Sequence, residues 1–152
     1  MHLTRFTDMG LRVLIYLARA GERRVPVTVA EVAAQFALPV NHLVKVVGHL
    51  ARAGWVCATR GRNGGLRLAA DAATLSIGAV LRELEGDSEL VDCEGTGCRL
   101  SGDCQLRAAL RSGMDAFYGA MDKVSLAQIT HGDTGEKIVR MHRMFLDQDR
   151  AA

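Results

Sequence analysis

Leu11, Leu14, Ile15 and Ala18 recur at steps of three and four, the spacing of one face of an α-helix. Thr7 stands where an N-cap belongs and Gly21 where a helix stops, so the pattern predicts a first helix from Thr7 to about Ala20. After the turn around Pro26, Thr28-Val29-Ala30-Glu31 has the form of a capping box, in which each end satisfies an orphan N–H of the other. A short second helix through Val32, Ala33 and Phe36 follows. Leu38-Pro39 ends it, because the residue before proline is pushed out of the helical region. From about Val40 to Ala53 a third helix keeps Leu43, Val46, Val47 and Leu50 on one face and Asn41, His42, Lys45, His49 and Arg52 off it. Gly54 suits the left-handed position that closes such a helix.

Two short helices joined by a tight turn, the second with polar residues opposite its apolar stripe, outline a helix-turn-helix. Trp55 to Arg60 reads as a strand, Gly61-Arg62-Asn63-Gly64-Gly65 as a flexible tip and Leu66 to Ala69 as a returning strand. Such a hairpin is a wing, and its tip carries Arg60 and Arg62 with no acid nearby. Beyond it, a helical stretch runs from about Ser76 to Leu84, and a polar loop occupies Gly86 to Asp103. Leu106, Leu110, Gly113, Phe117, Met121 and Val124 then repeat at steps of three and four, the mark of a long amphipathic helix. The chain has few other elements to cover that stripe, so a partner chain is the expected cover. Glu136 to Leu146 has helical spacing through Ile138, Met141 and Phe145, with no assignable role and the character of a mobile end.

The pattern therefore predicts a mainly α fold with a small β wing. A winged helix-turn-helix domain fills residues 1–85, a cysteine-bearing loop 86–104, a dimerisation helix region 105–130 and a tail 131–152.

Charge sharpens this picture. The net charge of +2 conceals a division, for residues 1–70 hold ten Lys and Arg against three acids and residues 71–152 hold nine against fourteen. Between Val32 and Ala70 the only charged side chains are Lys45, Arg52, Arg60, Arg62 and Arg67. A one-sign surface inside an apolar-rich segment points at a polyanion, and Asn41, His42, Lys45, Arg60 and Arg62 become the candidate DNA contacts. The apolar patch from Leu11 to Ala20 is broken by Arg12 and Arg19, which argues against a targeting or membrane segment and for a cytoplasmic protein. No nucleophile elbow, phosphate loop or metal-plus-base pattern suggests an enzyme.

Three of the four cysteines, Cys93, Cys98 and Cys104, lie in one loop loosened by Gly95, Gly97 and Gly102. Three neighbours cannot all pair as disulfides, so a metal site is the natural reading. The spacing is wider than that of most structural zinc pairs and fits an iron-sulfur cluster at least as well, so both metals stay open. No histidine lies between Ala70 and His131 to complete the set. Cys57, in the strand after Trp55, reads as a singly buried thiol.

Leu3-Thr4-Arg5-Phe6-Thr7-Asp8-Met9-Gly10-Leu11-Arg12, Asn41-His42-Leu43-Val44-Lys45-Val46-Val47, the Arg60 to Leu68 wing, and the three cysteines followed by Gln105-Leu106-Arg107-Ala108-Ala109-Leu110 stand in one order. Together they resemble the nitric-oxide-sensitive branch of the winged-helix iron-sulfur regulator family, over roughly residues 1–130. The resemblance implies a homodimeric transcriptional repressor that binds palindromic operator DNA while its cluster is intact and releases it when nitric oxide destroys the cluster. It implies that Cys93, Cys98 and Cys104 hold the cluster, that Asp8 of the partner subunit supplies the fourth ligand, and that a helix beginning near Cys104 pairs the two chains. A [4Fe-4S] cluster is expected ahead of a [2Fe-2S] one. The cluster-biogenesis branch of the family has a histidine three residues after its last cysteine, where this chain has Arg107. By position alone Asp8 is an ordinary helix-start carboxylate. The competing readings are a winged-helix regulator of iron, cluster supply or redox state, and a zinc-stabilised interaction protein.

Overall fold

Thr4, rather than Thr7, caps the first helix. A computed structural model describes residues 2–21, 23, 25–61, 64–86, 90–100 and 102–151. In it α1 spans Arg5–Ala18, and the Thr4 side chain accepts from the N–H of Thr7. Thr7 is fully buried in the first turn, its hydroxyl 3.0 Å from that of Thr4. A buried hydroxyl satisfied by the true cap looks in sequence like the cap itself. Val13, Leu14, Tyr16 and Leu17 of α1 form the centre of the core.

Helix α2 spans Val29–Phe36, capped by Thr28, and α3 spans Val40–Arg52. The turn between them is a Schellman motif, with Leu38 N–H on Ala33 O and Ala37 N–H on Ala34 O. Ala37 takes the left-handed position at φ 51°, so α2 has already ended two residues before Pro39. Leu43, Val46, Val47 and Leu50 are buried, as the apolar stripe predicts. Gly54, at φ 77°, lies just beyond α3 in the left-handed conformation assigned to it.

Strands β1 (Val56–Thr59) and β2 (Gly65–Leu68) pair antiparallel with Val56 opposite Leu68 and Cys57 opposite Arg67. β1 is one residue shorter at each end than the pattern suggested, and β2 has the expected length but begins one residue earlier. Val27 bridges to Leu66 and ties the root of the hairpin to the segment before α2. Cys57 is exposed, contrary to expectation, because Val56 and not Cys57 occupies the inward register of β1. Arg62 and Asn63, at the predicted wing tip, lie outside the described residues.

Helix α4 (Ile77–Glu85) is capped by Ser76 and buries Val80, Leu81 and Leu84. The cysteine loop leads to α5 (Gln105–Met121), which has no buried residue. Val124, placed on this helix by its spacing, lies beyond it. Ser125 opens a further short helix, α6 (Leu126–Ile129), through a full capping box with Gln128. The sequence reading passed over α6, since four residues are too few for periodicity to register. The last helix, α7 (Gly132–Ala151), is docked rather than loose: Ile138 and His142 are buried in the body of the fold. No helix among the described residues is long and apolar enough to cross a membrane.

Candidate functional site

The first half of α3 presents Asn41, His42 and Lys45 to solvent, and Arg60 is exposed at the end of β1. All four are thus on the surface, as the helical spacing and the hairpin reading require. His49 belongs elsewhere: its Nε2 lies 2.8 Å from Glu83 Oε1 of α4, and its ring stands edge-on to Phe6, 5.5 Å between centroids. Arg52 and Arg67 are exposed as well. Among the described residues of α3 and β1–β2 no acid occurs; Glu31 and Asp71 bound the segment in sequence, and Glu83 of α4 reaches its edge at His49. Glu31 is buried and internally paired, so it contributes no field there.

The support beneath this surface is polar as well as apolar. Glu31 Oε1 accepts from Tyr16 Oη at 2.7 Å, and Arg23 donates to both carboxylate oxygens, at 2.5 and 3.2 Å. His142 of α7 completes the group. Its Nε2 faces the Tyr16 carbonyl oxygen at 3.0 Å and its Nδ1 faces Arg23 Nη1 at 2.8 Å. A carbonyl only accepts, so the Tyr16 contact places a proton on Nε2. Burial alone would raise the Glu31 carboxyl, but the polar groups of His142, Arg23 and Tyr16 outweigh it and hold the carboxyl down to about 2. The expected capping box is therefore half formed. Thr28 accepts from the Glu31 N–H, while the Glu31 side chain turns inward to this network.

Cys93, Cys98 and Cys104 form no disulfide, and each is half-buried. Cys98 N–H donates to Cys93 O at 3.0 Å, which closes the loop between them, and Cys104 stands at the N-cap of α5. Among the described residues no three His, Cys, Asp or Glu side chains are gathered in an arrangement that holds a metal ion. The donor set nonetheless fits an iron-sulfur cluster in its chemistry: three cysteines, none in a disulfide, on one glycine-bearing loop outside the apolar core. Asp8 is about half exposed and paired within its own helix, its Oδ2 2.9 Å from Arg12 Nε. Arg12 in turn lies over the Phe36 ring of α2, 5.7 Å from its centroid.

A helix-turn-helix with an acid-free outer face and a two-stranded wing define a winged-helix DNA-binding regulator. The chain belongs to the Rrf2 family, described as iron-dependent transcriptional regulators, which it matches over residues 3–132. It is 43% identical over 136 residues to the HTH-type transcriptional repressor NsrR of Streptomyces coelicolor, an alignment covering 89% of this chain and 92% of that one. A transcriptional regulator from Listeria innocua superposes with a TM-score of 0.70 at 25% identity, over 88% of this chain and 89% of that one. T. potens IscR shares the fold with a TM-score of 0.66 at 20% identity, over 85% of each chain. The family expected from the sequence is the family found.

Proposed function

We propose that the chain is a nitric-oxide-sensing transcriptional repressor that binds operator DNA as an iron-sulfur homodimer and releases it when nitric oxide destroys the cluster. The observation that carries this reading is the likeness to a transcriptional repressor over most of the chain, with three cysteines on the loop between α4 and α5. Cys93, Cys98 and Cys104 would hold the cluster, with Asp8 of the partner subunit as the fourth ligand. When bound, the cluster supplies iron that reacts with nitric oxide. The long helix α5, with nothing buried and Leu106 64% exposed, is the surface proposed to pair the two chains. Pairing matters because two recognition helices must meet half-sites about 34 Å apart, and a small shift in their spacing loses specific binding. Arg12 links the two ends of this arrangement, since it grips Asp8 on one side and covers Phe36 of α2 on the other. What Asp8 binds is thereby felt at the first helix of the helix-turn-helix.

Anaerobically purified protein is expected to be brown and to lose visible absorbance and operator binding together as nitric oxide is added. Asp8→Ala is expected to retain colour yet uncouple the two losses. A colourless zinc protein, or binding that follows iron supply and ignores nitric oxide, refutes the proposal.

Asn41, His42 and Lys45 are proposed to meet base edges and nearby phosphates, and Arg60 and Arg62 the backbone or minor groove. Removing Arg60 is expected to weaken binding to all sequences alike and to lower the salt slope by about one unit. Fluorescence anisotropy across a salt series measures both. If Arg60→Ala combined with Arg62→Ala leaves both unchanged, the wing does not touch DNA.

A further inference from the structure

The exposed half of α3 is not wholly polar. Val40 and Val44, one turn apart, are 46% and 54% exposed, among the largest apolar exposures in the DNA-reading domain. They share a row with Gly48, four residues further on. Glycine inside a helix is destabilising relative to alanine, so it normally marks a place where a neighbour leaves no room. At Gly48 the chain itself imposes no such limit. A Cβ built there would meet only Arg52 Nη1, at the ordinary contact distance of 3.7 Å. Gly10 and Gly78, by contrast, are crowded by Leu84 and Asp122.

The row thus combines two β-branched side chains that the fold leaves in water with a glycine that the fold does not need. Both features are explained by an object outside the chain that lies flat against this side of α3. Asn41 and Lys45 border the row, and no acid occurs between Val32 and Ala70, so the object is a polyanion with apolar points on its surface. DNA has such points only in the major groove, where the C5-methyl of thymine projects. We propose that Val40 and Val44 read thymine methyl groups in the operator half-site, and that Gly48, about 12 Å further along the helix, leaves room for the groove wall. The inference rests on the DNA-binding reading and deepens it: the half-site contains thymine opposite the start of α3, recognised by apolar contact.

The test begins with an operator duplex selected from random DNA by the purified full-length protein. Each thymine is replaced in turn by deoxyuridine, which removes the methyl group and leaves every hydrogen bond in place. At one or two positions this substitution is expected to weaken wild-type binding about three- to tenfold, and to have no effect on Val44→Ala or Val40→Ala. Gly48→Ala is expected to raise the thermal midpoint of the free protein while weakening operator binding at least tenfold. A purely structural role for Gly48 cannot move the two in opposite directions. The proposal is overturned if deoxyuridine is tolerated everywhere, if the valine variants respond to it as wild type does, or if they lose self-association without DNA. Failure to bind any selected duplex would instead remove the DNA-binding reading itself.

Discussion

Changing Cys93, Cys98 or Cys104 to alanine is expected to give a folded chain without iron, without visible absorbance and with operator binding reduced to the nonspecific level. The fold should persist because the apolar core draws nothing from the loop: its members pass from Leu84 directly to Phe117. Substitutions away from buried features usually change stability by less than about 0.5 kcal/mol, so far-UV circular dichroism and the unfolding midpoint should match those of the cluster-free wild type. The loss of specific binding should be large, a thousandfold or more, since specific recognition exceeds nonspecific binding by at least about that factor. Cys57→Ala is the control. It lies exposed on β1 opposite Arg67 and should keep its iron. Iron content per chain, visible spectrum and operator anisotropy decide the matter residue by residue, and an iron-replete variant at any of the three removes that residue from the site.

The largest effect on stability is expected at Glu31. Replacing it by alanine leaves the Arg23 guanidinium, 9% exposed, without its carboxylate and leaves the Tyr16 hydroxyl without its acceptor. Breaking a buried pair in this way costs about 3–5 kcal/mol. The charge also sets a pH dependence. The carboxyl titrates at about 2 in the fold, against 4.5 ordinarily, so folding favours its ionised form. That contribution, about 3 kcal/mol at the usual conversion per pKa unit, is fully present above pH 4.5 and is lost as the pH falls toward 2. Urea unfolding of wild type and Glu31→Ala between pH 2 and pH 7 should show two curves that converge at the acid end. Parallel curves would mean that the network does not hold the carboxylate in its charged form.

Glu31 also shows where the sequence stopped being informative. Its place three residues after Thr28 satisfies the spacing of a capping box, and only tertiary structure reveals that Arg23, Tyr16 and a histidine more than a hundred residues away compete for the same carboxylate. Periodicity placed the apolar face of α3 correctly, since Leu43, Val46, Val47 and Leu50 obey a period that burial enforces. It misjudged Cys57, because a four-residue strand has two alternating faces and nothing local chooses between them. It left α7 without a role, because the reason for its docking is a hydrogen bond from His142 to the backbone of Tyr16, which no pattern within the helix announces. The exposure of Asn41, His42 and Lys45 was legible because the apolar stripe of α3 leaves them on its other side, and the acid-free stretch that includes Arg60 is a property of the sequence itself. Val44 was overlooked because a valine beside an apolar stripe is readily counted as part of it, although its position is off the buried face.

Helix α5 rests on the apolar core near one end. Near its C-terminus Phe117, Tyr118 and Met121 rest on the core, Arg82 of α4 donates twice to Asp122 at 2.6 and 2.8 Å, and its guanidinium lies 4.7 Å from the centre of the Tyr118 ring. Gly78 lets α4 come so close that a Cβ there would be 2.7 Å from the Asp122 backbone nitrogen. The other end starts at Cys104 and buries nothing. With a rise of 1.5 Å per residue the overhang from Phe117 to Cys104 is about 20 Å long, so a tilt of about 10° at the clamped end swings Cys104 through about 3 Å. In mechanical terms the helix is a cantilever that multiplies displacement and divides force. Read in reverse, a movement of about 3 Å in the cysteine loop reaches α4 as a rotation of about 10° delivered with leverage, directed at the close approach of Gly78 to Asp122.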